Sequence, residues 1–206
     1  MERKSGILMP IFSLPSKYGI GTLGKEAYKF ADFLAAAGQS VWQLLPLGPT
    51  SYADSPYSSF STFAGNPYFI DLDALVEDGL LKRSEIKAVD WGDDPRQIDY
   101  GKIYENRFKI LALACERGWE RDAEAVAAFE RENAGWLPDY ALFMALKRRF
   151  GMKSWLEWPD EAARMREPEA LDSYRIELAE DIRLFTYAQF LFFRQWNALR
   201  DYVHSL

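Results

Sequence analysis

Residues 48–67 read GPTSYADSPYSSFSTFAGNP, a stretch without helical or strand periodicity in which short polar side chains are interleaved with flat aromatic ones. Asp54, Ser55, Ser59, Ser61 and Asn66 offer directional donors and acceptors, while Tyr52, Tyr57, Phe60 and Phe63 offer apolar ring faces. A pyranose uses both, because one face of its ring is C–H and its rim is hydroxyl. Any single aromatic here could equally pin the loop to its scaffold. As a set they are expected to bind a ligand, since long ordered loops are usually functional.

The other candidate chemistries are thinner. His204 is the only histidine and Cys115 the only cysteine, so a metal site lacks ligands and a Ser-His-Asp or Cys-His arrangement lacks a well-placed base. GIGTLG at residues 19–24 has the wrong glycine spacing for a phosphate cradle. Neither a metal nor a cofactor is expected. Carboxylates are plentiful, but retaining glycoside chemistry needs two of them about 5–5.5 Å apart across one bond. Asp71 and Asp73, in IDLD, are close only along the chain, and they read more readily as solvated or capping groups.

The elements that must position the loop follow a βαβ rhythm. GILMPIF reads as a strand, SLPSKYGIGTLG as a loop, and Lys25 to Ala37 as a helix with Ala27, Phe30, Ala31, Leu34 and Ala37 on one stripe and Gly38 at its C-terminal cap. SVWQLLPL then reads as a second strand, parallel to the first and buried on both faces, with Pro10 and Pro46 near the strand ends. In such architectures the loops leaving the C-terminal ends of the strands form the ligand face. From about Tyr100 onward nearly everything reads as helix. One helix ends at Gly118, one is capped by Asp139 and ends at Gly151, short pieces are broken by Pro159 and Pro168, and a long amphipathic helix runs from Ser173 to His204.

Composition bounds the whole. At 206 residues, 49% hydrophobic and 16% aromatic, the chain can bury a substantial core. Its 31 acidic against 25 basic residues give a net charge of -6 with no basic footprint, so neither nucleic acid nor a membrane is expected as a partner. One cysteine in an apolar phase and no long apolar run point to a reduced, cytoplasmic protein.

Four blocks in order, SGILMPIFSLPSKYGIGTLG, SVWQLLPLGPTSYADSPYSSFSTFAGNPYFIDLDALVEDGLL, WLPDYALFMALKRRFG and QFLFFRQWNAL, make the chain resemble the N-terminal portion of the 4-α-glucanotransferases, the amylomaltases and disproportionating enzymes of glycoside hydrolase family 77. The resemblance implies an α/β fold: the start of a (β/α)8 TIM barrel, incomplete at its first two strands, with a large, mainly helical inserted subdomain. Residues 1–70 would form the first βαβ portion with the cleft loop, 71–183 the insertion, and 184–206 the helix leading to a third strand.

The resemblance also implies transfer of α-1,4-glucan segments between malto-oligosaccharides by a retaining double displacement. Carried over singly, Tyr52, Asp54, Ser55, Pro56, Tyr57, Ser59, Phe60, Asn66 and Pro67 match the family's substrate-cleft segment, with Ala53 where relatives usually have Gly and Ser58 where Gln is common. The implied partners are a malto-oligosaccharide or a starch- or glycogen-derived α-glucan, and the C-terminal part of the barrel. The family's three catalytic carboxylates fall on later strands, beyond Leu206, so the chain alone is expected to be inactive. The other reading is a non-catalytic module that binds α-glucan or a protein.

Overall fold

A computed structural model describes residues 3–51, 54–94 and 96–206. Strand β1 (Gly6–Leu8) pairs in parallel with β2 (Val41–Gln43) in the register Gly6↔Val41, Ile7↔Trp42, Leu8↔Gln43, and helix α1 (Lys25–Ala36) connects them. Of the expected α1 stripe, Ala27, Ala31 and Leu34 are buried, Phe30 is half-buried and Ala37 is exposed at the C-cap; Gly38 takes a φ of 68° just past the helix end, as the sequence predicts. The α1 ring of Phe30 meets the β2 ring of Trp42 edge to face at 5.0 Å, and the Trp42 indole N–H donates to Met9 O at 2.8 Å.

Both strands are shorter than the apolar runs that contain them. Pro10 has no N–H for a ladder, and Ile11–Ser13 turns into a 3-10 helix closed by Ser13 N–H to Pro10 O at 3.1 Å. The expectation that the strands are buried on both faces fails. Leu8 is 50% and Val41 44% exposed, because these two strands are the whole sheet among the described residues.

The remaining elements are helical: α2 (Leu72–Glu77), α3 (Arg83–Lys87), α4 (Tyr100–Gly118), α5 (Ala123–Glu132), α6 (Leu137–Arg149), α7 (Glu161–Arg164), α8 (Pro168–Glu177) and α9 (Ala179–Ser205), with 3-10 turns at Pro67–Phe69 and Trp155–Glu157. Two expectations are corrected. Asp139 lies in the first turn of α6, whose N-cap is Trp136, and it pairs with Arg166 at 2.8 Å. The segment from Ser173 to His204 is two helices, since the chain breaks at Leu178 between α8 and α9. Pro168 is a breaker only from the N-terminal side and opens α8 as its first residue.

The chain divides into two compact units, Met1–Gly118 with Leu191–Leu206, and Trp119–Phe190. In the first, Asp71 gathers four strands of contact. Its carboxylate accepts from Ala74 N–H at 2.8 Å, capping α2, and from the Thr22 hydroxyl at 2.6 Å. Its backbone N–H donates to Gln195 Oε1 at 2.7 Å and its carbonyl accepts from Gln195 Nε2 at 3.1 Å. Gly24 lies so close that any Cβ there would collide with the Asp71 carboxylate. The glycines of GIGTLG are thus explained by close packing. Asp73 accepts from the Tyr18 hydroxyl at 2.6 Å and from Arg83 at 2.8 Å. Both aspartates are capping and bridging groups.

Arg107, on α4, is fully buried and donates to Ile70 O at 3.2 Å and Tyr18 O at 3.3 Å, with its guanidinium 5.2 Å from the Trp91 ring centroid. In the second unit, the Tyr187 hydroxyl donates to Asp122 at 2.7 Å, and Arg148–Asp181 and Arg149–Glu177 pair at 2.9 and 3.2 Å. No helix among the described residues is long and apolar enough to cross a membrane.

Gln195→Leu strips two hydrogen bonds from the Asp71 backbone and is expected to cost about 2 kcal/mol in urea denaturation. Burial, reinforced by the hydrogen bond to Asp73, pushes the Tyr18 phenol up to about 12. The fold favours the neutral phenol, so its contribution is complete below about pH 10 and is lost as pH rises towards about 12. Tyr18→Phe is expected to flatten that part of the stability profile, measured by denaturation at a series of alkaline pH values.

Candidate functional site

The loop 48–67 is held along its length by its own backbone. Thr50 and Ser59 form an antiparallel bridge, Ser51 N–H donates to Ser58 O at 2.9 Å, and Asp54 N–H and Ser58 N–H close turns onto Ser51 O and Ser55 O at 3.1 and 3.0 Å. Short side chains continue the work: Ser59 Oγ donates to Ser61 O at 2.8 Å, and Ser61 Oγ accepts from Phe63 and Ala64 N–H at 3.3 and 3.1 Å. At the base, Asn66 N–H reaches Leu47 O at 2.8 Å. The serines read from the sequence as ligand donors therefore also serve the loop's own turns.

The predicted residues divide into two groups. Asn66 is 2% exposed and its side-chain carbonyl accepts from Tyr68 N–H at 3.0 Å, capping the 3-10 turn that the buried Pro67 opens. Tyr57 is 75% exposed, Ser59 is exposed, and Asp54, Ser55, Pro56 and Phe60 are half-buried. Phe63 is 65% exposed. Tyr52 lies outside the described residues.

Asp54 is the electrostatic centre. Its backbone is left-handed, with φ at 56°, and its Oδ1 is buried without a hydrogen-bond partner among the described residues. Burial raises its carboxyl above the usual range. The phenols of Tyr68 and Tyr100 are raised too, first by their own burial and then by the Asp54 charge. Thr50 Oγ1 is a second buried polar atom of the loop that lacks a partner among the described residues.

Sequence reasoning missed the aromatic neighbours of Asp54. Tyr68, Tyr104 and Tyr100 form a chain of rings at 5.7 and 6.2 Å, and Tyr68 also meets Phe108 at 6.1 Å. The signal was present as Tyr100, Tyr104 and Phe108 at four-residue spacing. It was masked because Phe108 reads with Ile103, Leu111 and Cys115 as one core stripe, whereas the structure buries the other three and leaves Phe108 half-buried.

A parallel βαβ start followed by a helix-rich chain, with a hydrogen-bonded loop presenting aromatic and carboxylate groups, is an α/β arrangement. The sequence profile described as 4-alpha-glucanotransferase, that of glycoside hydrolase family 77, matches residues 9–206, and the chain belongs to this family. It is 48% identical over 205 residues to the 4-alpha-glucanotransferase of Streptococcus pneumoniae serotype 4, covering 99% of this chain and 41% of that protein. It is 45% identical to the one from Thermus thermophilus, covering 100% and 41%. The amylomaltase of Streptococcus agalactiae, solved in complex with acarbose, superposes with a TM-score of 0.96 at 42% identity, over 99% of this chain and 41% of that one. The chain thus spans about two fifths of the length of the relatives it matches.

Gly65 seats the loop's base, because a Cβ there would collide with the Phe192 ring. Gly65→Ala is expected to cost about 2 kcal/mol. Combined with Phe192→Leu it should show a coupling energy of about 1 kcal/mol in a double-mutant cycle, read by urea denaturation.

Proposed function

We propose that residues 1–206 supply the α-glucan-binding part of a 4-α-glucanotransferase that transfers α-1,4-glucan segments between malto-oligosaccharides with retention. The observation that carries the reading is the exposed ring of Tyr57, 75% exposed on a loop fixed by its own hydrogen bonds, with the half-buried Asp54 three residues before it. A glucosyl unit would lay its C–H face on Tyr57 and donate a hydroxyl to Asp54, with Ser55, Pro56, Ser59 and Phe60 shaping the contact. Tyr52 belongs to the same proposed segment, and Asn66 and Pro67 act by setting its base.

In this reading β1, α1 and β2 begin a (β/α)8 barrel, residues 71–183 are a helical insertion, and 184–206 lead towards a third strand. No residue of the chain is proposed as catalytic. Asp71 and Asp73 are committed to Ala74, Thr22, Tyr18 and Arg83, and the family resemblance puts the nucleophile and the acid/base on later strands. The isolated chain is therefore expected to lack transfer activity.

Transfer on maltotriose, followed by glucose release and by the appearance of longer oligomers, tests this in the chain alone and in the same chain extended through the later strands. Activity is expected in the extended form only, and activity in the short chain would overturn the assignment of the carboxylates. In the extended form, Tyr57→Ala is expected to raise KM for maltotriose about fivefold to tenfold. An unchanged KM removes Tyr57 from the cleft.

A further inference from the structure

Two successive residues of α9 grip the short helix α2 at its two ends. Gln195 holds the Asp71 backbone at the N-cap, and the Arg194 guanidinium pairs with the carboxylate of Asp78, the C-cap. The chain then turns tightly. Gly79 takes a φ of 74°, its N–H donates to Val76 O at 3.0 Å, and the N–H groups of Leu80 and Leu81 both donate to Leu75 O, at 2.9 and 3.1 Å. Leu80 and Leu81 are buried, and the Leu80 carbonyl accepts from Arg117 at 3.0 Å.

Asp78–Gly79 is the only Asp-Gly step in a sequence that has no Asn-Gly step. Such a step carries its own reactivity. The glycine backbone nitrogen can attack the aspartate Cγ, closing a five-membered cyclic imide as one carboxyl oxygen leaves as water, and water then reopens the ring at either carbonyl. Opening at the α-carbonyl leaves the chain running through Cγ: an isoaspartate, with a free α-carboxylate and one extra methylene in the main chain. No atom is oxidised or reduced. A glycine nitrogen is the least obstructed nucleophile for this closure, because glycine has no Cβ. Here both residues are exposed, and apart from its chain neighbours nothing lies within 4 Å of where a Cβ would stand on Gly79.

Two contacts oppose the closure. The Gly79 N–H is committed to Val76 O, and the Asp78 carboxylate must leave Arg194 before Cγ can swing onto that nitrogen. The ion pair is partly open to water, with the Asp78 side chain 45% and that of Arg194 34% exposed, so it adds little to global stability. It acts directly on the reacting group.

We propose that Asp78–Gly79 is a site of spontaneous isoaspartate formation and that Arg194 restrains it. Conversion would lengthen the backbone just before the buried Leu80 and Leu81 and remove the Arg194 contact, leaving the Gln195 clamp at the other end of α2. The modification falls outside loop 48–67 and is independent of what that loop binds.

The full chain, incubated for weeks at neutral pH and body temperature, is assayed by an isoaspartyl methyltransferase, which transfers labelled methyl groups from S-adenosylmethionine to the free α-carboxylate. The site is located by fragmenting the peptide that contains Asp78. Isoaspartate is expected at Asp78 and absent there from Asp78→Glu, whose imide would need a less favoured six-membered ring. Arg194→Ala is expected to form it about threefold to fivefold faster than the unaltered chain, and Arg194→Lys at close to the unaltered rate. Gln195→Leu loosens the other end of α2 without touching the ion pair and should leave the rate unchanged. No isoaspartate at Asp78 in either the unaltered or the Arg194→Ala chain overturns the site. An unchanged rate in Arg194→Ala, or an equal acceleration in Gln195→Leu, overturns the role of Arg194.

Discussion

The first unit depends on the double hydrogen bond between the Asp71 backbone and the Gln195 side chain. The residue that opens a short helix has an N–H that its own helix does not satisfy and a C=O with a second lone pair to spare, and an amide side chain presents one acceptor and one donor in matching geometry. Gln195 therefore closes a contact across 124 residues of sequence with no charge to desolvate. Around that clamp the Asp71 carboxylate caps α2 and takes the Thr22 hydroxyl, and Gly24 gives the room for both. Loop 14–24, helix α2 and the C-terminal half of α9 are joined at one residue, and the base of loop 48–67 lies just before it in the chain.

Arg107 solves a related problem at higher cost. A guanidinium with no exposed surface loses its hydration, and burial draws its pKa down to about 10. Two backbone carbonyls and the Trp91 ring face compensate in part. The carbonyls it serves belong to Tyr18 and Ile70, on irregular segments that have no ladder of their own. A buried arginine here substitutes for missing secondary structure.

Legibility followed the range of the interaction. Local chemistry read correctly: the α1 stripe with its Gly38 cap, the short pieces around Pro159 and Pro168, and the capping nature of Asp71 all follow from neighbours within a few residues. What failed or went unseen was set by distant partners. The apolar runs of GILMPIF and SVWQLLPL predict strands buried on both faces, but ladder length and burial depend on neighbours that an apolar run does not specify. Gln195 and Arg107 sit within apolar helical stripes and carry no local mark of their role. In the loop, the residue types pointed to hydroxyl-rich ligands, whereas the division between Tyr57, which faces solvent, and Asn66, which caps, needed the fold.

The unpartnered polar atoms show the same control by distant packing. Among the described residues four side-chain polar atoms are buried without a partner: Thr50 Oγ1, Asp54 Oδ1, Arg107 Nε and Trp158 Nε1. Each such group costs about 1–3 kcal/mol, so a sequence retains one only where something compensates. Arg107 has its two other nitrogens engaged and an aromatic face beside it, and its third nitrogen, Nε, is left over from an awkward solution. Thr50 and Asp54 share one loop, and Trp158 lines one cavity, with aromatic surface exposed nearby at Tyr57 and Trp155 respectively. The cost of the orphaned atoms falls on the packing around them, which leaves each without accessible surface.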